Sequence, residues 1–215
     1  MPRGRTRKIE TQDALHAIML AFWKNGYKAT SMSDLSEASG MAKPGLYAAF
    51  GDKEDMFEKS LLHYFKTIGG PVFAELQQAR KNVIDDFRDF LRAVAVVTAG
   101  VETPSGCFLV NALIDCSYGS ERLSDLVNGL RESRFMAIKD RILKGVGAGE
   151  LLPDTDVDRA ATFMDGQFSA IAMLGRSGSS IAELDLFIET GLSALPVVDN
   201  AAMFVNFSDS STLQQ

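Results

Sequence analysis

Side chains that can donate hydrogen bonds to an anion are concentrated between residues 30 and 53 of the sequence. Two of them are hydroxyl groups, Thr30 and Ser33, and the others are the side chains of Lys43, Tyr47 and Lys53. Hydroxyl, phenol and ammonium groups are the donors that proteins direct at the phosphates of nucleic acids. The spacing of these residues matters only if local structure presents them on one surface.

The residues of common catalytic and metal centres are absent from the sequence. It has no G-x-S-x-G, no phosphate-binding Gly-rich loop after a strand and no zinc-type cysteine pairs. Asp13-x-x-His16 is the nearest approach to the Glu-x-x-His pairs of a helical di-metal centre, and His63 is the only other histidine. We therefore expect no catalytic residue, metal or cofactor. A small-molecule enzyme built on a helical bundle is the least favoured alternative.

The pattern around the donors predicts two short helices joined by a tight turn, followed by a third helix. Ser33 is predicted to cap the first helix and Gly40 to end it. Pro44 suits the start of the second helix, and Asp52 can cap the third, which begins at Lys53. The inward stripe of the second helix is formed by Leu46, Ala49 and Phe50. Its outward face is formed by Lys43, Gly45, Tyr47 and Ala48. This order is typical of a helix-turn-helix, whose second helix lies in the DNA major groove.

The order of residues resembles the DNA-binding domain of TetR/AcrR-type transcriptional regulators. The matching residues are Ala21-Phe22, Gly26-Tyr27, Ala29-Thr30-Ser31, Asp34-Leu35, Gly40, Lys43, Leu46-Tyr47, Phe50 and Lys53-Glu54. The resemblance is specific over about the first sixty residues and continues more weakly to about Pro196. It implies a ligand-responsive transcriptional regulator, most often a repressor, that acts as a homodimer.

DNA contacts are expected from seven residues: Thr30, Ser33, Lys43, Pro44, Gly45, Tyr47 and Lys53. Lys43 can reach a base edge or a phosphate, and Gly45 lets the backbone approach DNA closely. Tyr47 is expected to donate to a phosphate, as the matching tyrosine does in the family, and Lys53 to contact phosphate beside helix amides. The alternatives are that Tyr47 packs at the rim and that Ser33 only caps. Few of these side chains read bases, so the operator sequence does not follow from them.

Charge is unevenly divided along the chain. The net charge is −6, yet residues 1–57 hold eight Lys/Arg and seven Asp/Glu, which leaves an excess of one positive charge there. An N-terminal arm carries Arg3, Arg5, Arg7 and Lys8. Such an arm can neutralise phosphates and enter a minor groove, or it can be a solvated terminus.

The remaining periodicity predicts an all-α protein of about nine helices. We expect a basic arm and helix-turn-helix domain in residues 1–57, a ligand-binding and dimerisation domain in 58–196 and a loosely ordered tail in 197–215. The Gly69-Gly70-Pro71 cluster is predicted to break the helix that begins at Lys53. A bend is expected near Asn82, and the apolar run from Gly106 to Ile114 is a helix or a buried strand.

The resemblance implies a ligand cavity in the larger domain. Its candidate lining combines apolar and polar side chains, namely Phe87, Phe90, Leu91, Phe108, Met164 and Phe168 with Asn111 and Gln167. The alternative is that all of them are ordinary core. Cys107 and Cys116 can sense oxidants or electrophiles if one is an exposed thiolate, whereas buried structural cysteines are the alternative.

Partners follow from the same resemblance: a double-stranded DNA operator, a second copy through the last two helices and an unidentified small-molecule effector. No apolar run is long enough to span a membrane, and two cysteines make no disulfide framework, so we expect a cytoplasmic protein. The alternative is a helical protein-docking module that has no DNA partner.

Overall fold

The computed structural model describes residues 11–100, 103–116 and 120–198, and these ranges are helical with short connections. Their ten α-helices are α1 (Thr11–Asn25), α2 (Met32–Ser39), α3 (Lys43–Phe50), α4 (Lys53–Tyr64), α5 (Gly70–Gln78), α6 (Val83–Thr98), α7 (Phe108–Cys116), α8 (Glu121–Gly147), α9 (Val157–Arg176) and α10 (Ile181–Leu192). Extended pairing within the described ranges is limited to one bridge between Leu151 and Val197. The all-α prediction is confirmed.

Helices α4 and α5 are joined by a π-helical turn, Phe65–Gly69, without an intervening loop. The prediction that Gly69-Gly70-Pro71 breaks the helix is therefore wrong. The Gly70 N–H bonds to the carbonyl of Phe65, five residues back, and a Cβ on Gly70 would lie 2.4 Å from that oxygen. Glycine and the wider turn thus let the chain pass Pro71 while staying helical. If α4, the π-helical turn and α5 are counted as one continuous helix, the described ranges contain nine helices.

The helix-turn-helix has the predicted order with a different cap. Ser31, not Ser33, is the N-cap of α2, and it exchanges hydrogen bonds with Asp34 in a capping box. The cap falls at Ser31 because its backbone is extended, whereas Ser33 already lies in the first helical turn. Gly40 ends α2 in the left-handed conformation (φ 68°), and Asp52 caps α4, both as predicted. Ala49 is exposed rather than turned inward.

The other predicted boundaries fall close to the observed ones. Asn82 caps α6 after a break at residues 79–82, and Asp156 caps α9. The run from Gly106 to Ile114, for which helix and strand were both open, enters α7. Ser120 is the N-cap residue of α8, and α10 ends at Leu192.

Two regions of core meet along α4 and α7. Aromatic side chains from α1, α4 and α7 pack together: Trp23 meets Tyr64 edge to face and stacks on Phe108, which in turn meets Phe57 edge to face. Helices α6, α8, α9 and α10 pack on one another and enclose two buried ion pairs, Arg134–Asp165 and Arg141–Asp86. The head, formed by α1 to α3 and the start of α4, is therefore continuous with the bundle that the later helices form.

Some predictions concern the chain ends. The basic arm, from Arg3 to Lys8, lies outside the described residues, and so does 199–215, most of the predicted tail. At the start of that tail, the Val198 N–H bonds to the Glu150 carbonyl and Val197 pairs with Leu151. Among the described helices, none has both the length and the apolar character of a membrane span.

Candidate nucleic-acid interface

Helix α3 presents one face to solvent and buries the other. Lys43, Pro44, Tyr47 and Ala48 are exposed, with half of the Tyr47 surface accessible (50%). Leu46 and Phe50 are buried on the opposite side. Half of the Tyr47 surface is thus open to solvent, as the predicted phosphate contact requires.

Sequence analysis did not single out the residue that supports the end of this helix. The Lys59 ammonium, on α4, donates to the Phe50 carbonyl over 2.7 Å. A cation at a helix C-terminus is favourable because the last carbonyls lack partners within the helix. Lys59 therefore fixes α3 against α4. The contact spans nine residues and crosses a turn, so no local pattern predicts it.

Gly45 lies in the first turns of α3 without any internal need for glycine. A Cβ at this position would meet only the Met41 methyl, at 3.5 Å, which is an ordinary contact. Glycine is intrinsically less favourable than alanine inside a helix by about 1 kcal/mol. Folding alone therefore does not explain Gly45, and its lack of a side chain remains consistent with the predicted close approach of a DNA backbone.

Lys53 is placed beside the helix-turn-helix by two contacts. Its ammonium lies 4.5 Å from the centroid of the Tyr27 ring, and the negative charge of the Asp34 carboxylate attracts it. Partial burial lowers the pKa of Lys53, and the Asp34 charge opposes that shift. Lys53 is also the first residue of α4, where helix amides attract anions. It is well placed for a phosphate contact.

The two predicted hydroxyl donors have different positions. Thr30 is completely buried, and its hydroxyl donates to the Gly26 carbonyl over 2.6 Å. That bond directs the group inward and leaves Thr30 to fix the turn between α1 and α2. Ser33 is exposed on the first turn of α2 and is not the cap, so its hydroxyl can face a phosphate.

Helix α7 is anchored to the head at both ends. At its start, the Trp23 indole N–H donates to the Gly106 carbonyl over 3.2 Å. At its end, the Tyr27 backbone N–H donates to the Asp115 carboxylate over 3.0 Å. Movement of α7 therefore acts directly on α1 and on the turn that precedes α2.

Helix α4 is also bonded to the start of α8. The Ser120 hydroxyl contacts Glu54, and the Arg122 guanidinium contacts both Asp55 and Glu58. Asp55 belongs to the capping box of α4, so the first turn that carries Lys53 is bonded directly to the larger bundle.

An apolar cavity lies where the π-turn and α5 face α6, α7 and α9. Its volume is about 20 Å³, space for roughly one water molecule. Its lining consists of Tyr64, Phe65, Ile68, Gly69, Val72, Phe73, Val94, Val97, Thr98, Cys107, Leu109 and Phe168. Of the eight predicted ligand residues only Phe168 lines it, together with Cys107 from the predicted redox pair.

The other predicted ligand residues are distributed through the core. Phe90 stacks on Phe168 at 6.0 Å between ring centroids, one layer behind the cavity. Phe87, Leu91, Phe108 and Met164 are fully buried packing residues. Asn111 borders an open groove near Trp23, and Gln167 faces Gly191 on α10. The wall from Phe65 to Phe73 was missed because a helix break was expected there.

The two cysteines differ in what the structure describes. Cys107 is buried (4% exposed), and its sulfur lies 3.3 Å from the Tyr64 hydroxyl. Burial raises the pKa of Tyr64 well above its ordinary value, Cys107 adds to the rise, and nearby Arg134 opposes it. Tyr64 is therefore a neutral phenol at physiological pH. Cys116 ends α7, and its side chain lies outside the described part of the structure.

The two histidines are neighbours, which sequence analysis did not predict. His16 Nδ1 on α1 lies 3.3 Å from His63 Nε2 on α4. Burial lowers the pKa of His63, and the charges of His16 and Lys66 lower it further. No group of three or more His, Cys, Asp or Glu side chains within residues 11–100, 103–116 and 120–198 could bind a metal.

Helices α9 and α10 expose large apolar side chains although each also buries a full stripe. Phe163 and Met173 on α9 are 39% and 58% exposed, and Leu186 on α10 is 71% exposed. A helix with a second apolar stripe needs a second packing partner.

Comparison with known proteins identifies the family. The model described as "Bacterial regulatory proteins, tetR family" matches residues 14–60, and the model "Tetracyclin repressor-like, C-terminal domain" matches residues 83–190. The chain is 31% identical to the HTH-type transcriptional repressor ComR of Escherichia coli (strain K12) over 90% of this chain and 92% of that protein. It is 23% identical to the uncharacterized HTH-type transcriptional regulator YezE of Bacillus subtilis (strain 168), over 89% and 99%.

Solved structures agree with these sequence matches. A cysteine-substituted TetR family transcriptional regulator, CifR, complexed with 26bp double-strand operator DNA, superposes with a TM-score of 0.83 at 28% identity, covering 90% of this chain and all of that one. Bacillus subtilis FadR in complex with stearoyl-CoA shares the fold, with a TM-score of 0.68 at 15% identity over 86% and 98%. The two matched models cover both the head and the bundle, and the chain belongs to the TetR family of bacterial regulatory proteins.

Proposed function

We propose that the protein is a dimeric repressor that binds an operator through α3 and releases it when a small molecule enters the bundle. The observation that carries the proposal is the exposed face of α3, with Lys43 and Tyr47 in solvent beside Ser33 and Lys53. The operator complex of CifR and the repressor name of ComR support it. The proposal includes a cytoplasmic location, where a bacterial regulator meets DNA, and a regulatory role without catalysis.

The proposal divides the chain into residues 1–57 for the arm and head, residues 58–196 for the bundle and residues 197–215 for the tail. Exposed apolar residues on α9 and α10 suit pairing with the same helices of a second copy. Two heads then face two half-sites about one helical turn of DNA apart.

Release is a shift between two arrangements of the heads. Cys107 and Leu109 on the α7 side line the cavity, and Asp115 at the other end of α7 bonds to the head. A ligand that enlarges the cavity displaces α7 and, through it, α1 and α2. It then favours a spacing of the heads that misfits the operator.

Salt-dependent binding to the DNA flanking the gene tests the DNA assignment. Affinity is measured by mobility shift against random competitor at several salt concentrations. We expect selective binding that weakens steeply with salt, because phosphate contacts release counterions. Lys53→Ala should reduce the slope by roughly one unit per subunit, and Lys144→Ala, an exposed lysine on α8, should leave it unchanged. Unselective binding with a flat salt response would instead support a protein-docking module.

A further inference from the structure

The strongest unexplained feature of the bundle is a buried arginine with an unused donor. Arg134, on α8, is 2% exposed and bonds to Asp165 on α9 through Nε (2.7 Å) and Nη2 (3.0 Å). Its Nη1 is buried and has no hydrogen-bond partner among the described residues. A buried donor without a partner is costly, so such a group calls for a ligand.

Arg134 lies directly behind the apolar cavity. Its guanidinium carbon is 4.4 Å from the centroid of the Phe168 ring, which lines the cavity, and its charge acts on Tyr64, which lines it too. Phe90 stacks on the same Phe168 ring. Since the cavity holds only about 20 Å³, any larger occupant must move a wall, and Phe168 is the lining residue that contacts Arg134.

The charge of the site selects against an anion. The guanidinium is already neutralised by the Asp165 carboxylate, and a second carboxylate near it would be repelled. Among the described residues, the cavity lining includes no Lys, Arg or His, and its polar groups are the neutral Tyr64 hydroxyl, Thr98 hydroxyl and Cys107 thiol. An anion would therefore lose its hydration without gaining a free counter-charge.

We propose that the effector is an uncharged, mostly apolar molecule with one hydrogen-bond-accepting oxygen, of the ketone or ester class, whose oxygen accepts from Arg134 Nη1. Its apolar part replaces Phe168 against the wall from Phe65 to Phe73. This inference rests on the proposed ligand-responsive function and specifies the ligand class for that site.

Three probes of equal chain length test the class on the full-length protein. Affinities of 2-heptanone, heptanoate and 1-heptene are measured by isothermal titration calorimetry. We expect 2-heptanone to bind about tenfold more tightly than 1-heptene, as one added bond to a charged donor predicts, and heptanoate to bind no better than 1-heptene. Tightest binding by heptanoate, or equal binding by ketone and alkene, would overturn the proposal.

A matched pair of variants assigns the effect to Arg134. Arg134→Lys keeps a positive charge beside Asp165 but lacks the Nη1 donor, so the ketone should lose its advantage while 1-heptene binds as before. Arg131→Lys, at an exposed position on the same helix, should retain the advantage. If Arg134→Lys does not fold, the three-probe comparison on the wild type still decides.

Operator binding without probe is measured on the same samples. It distinguishes a failure of the proposed ligand class from a failure of the proposed DNA-binding function. Normal operator binding with no binding of any probe would reject the ligand class and leave the DNA-binding function intact. Loss of operator selectivity in the wild type would reject the proposed function itself.

Discussion

At the scale of single residues, the proposed DNA-facing surface consists of residues that the fold does not need for its stability. Gly45, Tyr47 and Lys43 occupy exposed or uncrowded positions on a short helix whose stability depends on Leu46 and Phe50. A glycine with room for a methyl group and a half-exposed phenol both add little to the fold. We propose that they contact the DNA instead.

Gly45→Ala should separate stability from DNA binding. The added methyl meets only the Met41 side chain and removes the intrinsic penalty of glycine, so the free energy of unfolding should rise by up to about 1 kcal/mol. DNA affinity should fall because the methyl holds the phosphate backbone away. Thermal melting and a DNA titration measure the two effects.

Gly129→Ala is the matched control for that substitution. Gly129 lies inside α8, and beyond the local helix backbone no described atom lies within 4 Å of the position that a Cβ would occupy. It should stabilise the fold without altering DNA affinity. Unchanged DNA binding in Gly45→Ala would show that close backbone approach is not needed.

Residue types alone did not decide which residue caps α2 or where each hydroxyl points. Ser31 and Ser33 are both good capping residues two positions apart, and the choice depends on where the backbone leaves the extended conformation. The inward turn of the Thr30 hydroxyl likewise depends on the Gly26 carbonyl, whose position follows from the tertiary fold.

At the scale of elements, helices with an extended apolar periodicity were predictable from the sequence, whereas the connections between helices were not. The π-turn before Pro71 keeps α4 and α5 continuous and supplies the cavity wall that includes Tyr64 and Phe73. Glycine next to proline ordinarily signals a break. Only the bond from Gly70 to Phe65 shows that the chain accommodates Pro71 by widening a turn.

The capping box of α2 makes the stability of the head depend on acid pH. The hydrogen bond from the Ser31 backbone N–H is the main cause that lowers the pKa of Asp34 below its ordinary 3.8, with the Ser31 side chain and Lys53 adding to it. A lowered folded-state pKa stabilises the fold above the unfolded pKa, and this stabilisation is lost as pH falls through the folded value.

Asp34→Ala should therefore lower the melting temperature at neutral pH, with a difference from wild type that shrinks below about pH 4. Melting followed by circular dichroism across that range measures it. Glu37→Ala, an exposed acid on the same helix, is the control. A difference that stays constant with pH would contradict the assignment of Asp34.

The bundle depends on a second buried arginine. Arg141 on α8 bonds to Asp86 on α6 (2.7 Å), to Glu150 (3.1 Å) and to the Lys81 carbonyl (3.0 Å). Arg141→Met leaves the Asp86 carboxylate buried without its partner and should cost about 3–5 kcal/mol of unfolding free energy.

Lys144→Met, which removes an exposed ion pair one turn further along α8, should change that free energy by less than about 1 kcal/mol. Urea denaturation at one fixed protein concentration compares the two variants, since dimer stability depends on concentration. Equal effects would contradict the role assigned to Arg141.

At the scale of the whole molecule, the account requires two copies. Phe163 on α9 and Leu186 on α10 are exposed in the single chain, on the helices that we assign to pairing. The doubly substituted Phe163→Glu/Leu186→Glu protein should sediment as a monomer and lose tight DNA binding, because two charges replace apolar contact.

Val96→Glu provides the control, since Val96 is a similarly exposed apolar residue (61%) on α6. It should remain dimeric in the same sedimentation experiment. A dimer that persists in the double variant would place the interface elsewhere on the bundle.

The sequence predicted this larger plan well where it depended on motifs. Lys43, Pro44 and Tyr47 lie on the exposed face of α3, and the chain belongs to the expected family. Phe87, Leu91 and Met164 do not line the apolar cavity, although they satisfy the same apolar pattern as the residues that do. Whether an apolar residue borders a cavity depends on how the helices cross, and the local spacing of residues does not predict that crossing.

The most direct test of the central claim is a hydroxyl-radical footprint on the DNA fragment selected by the wild-type protein. The account predicts two protected patches related by a dyad, with centres about one helical turn apart, and their loss in a Lys43→Ala/Tyr47→Phe protein that still folds and dimerises. A single patch, uniform weak protection, or full protection by the variant would contradict the claim that two copies of α3 bind the operator.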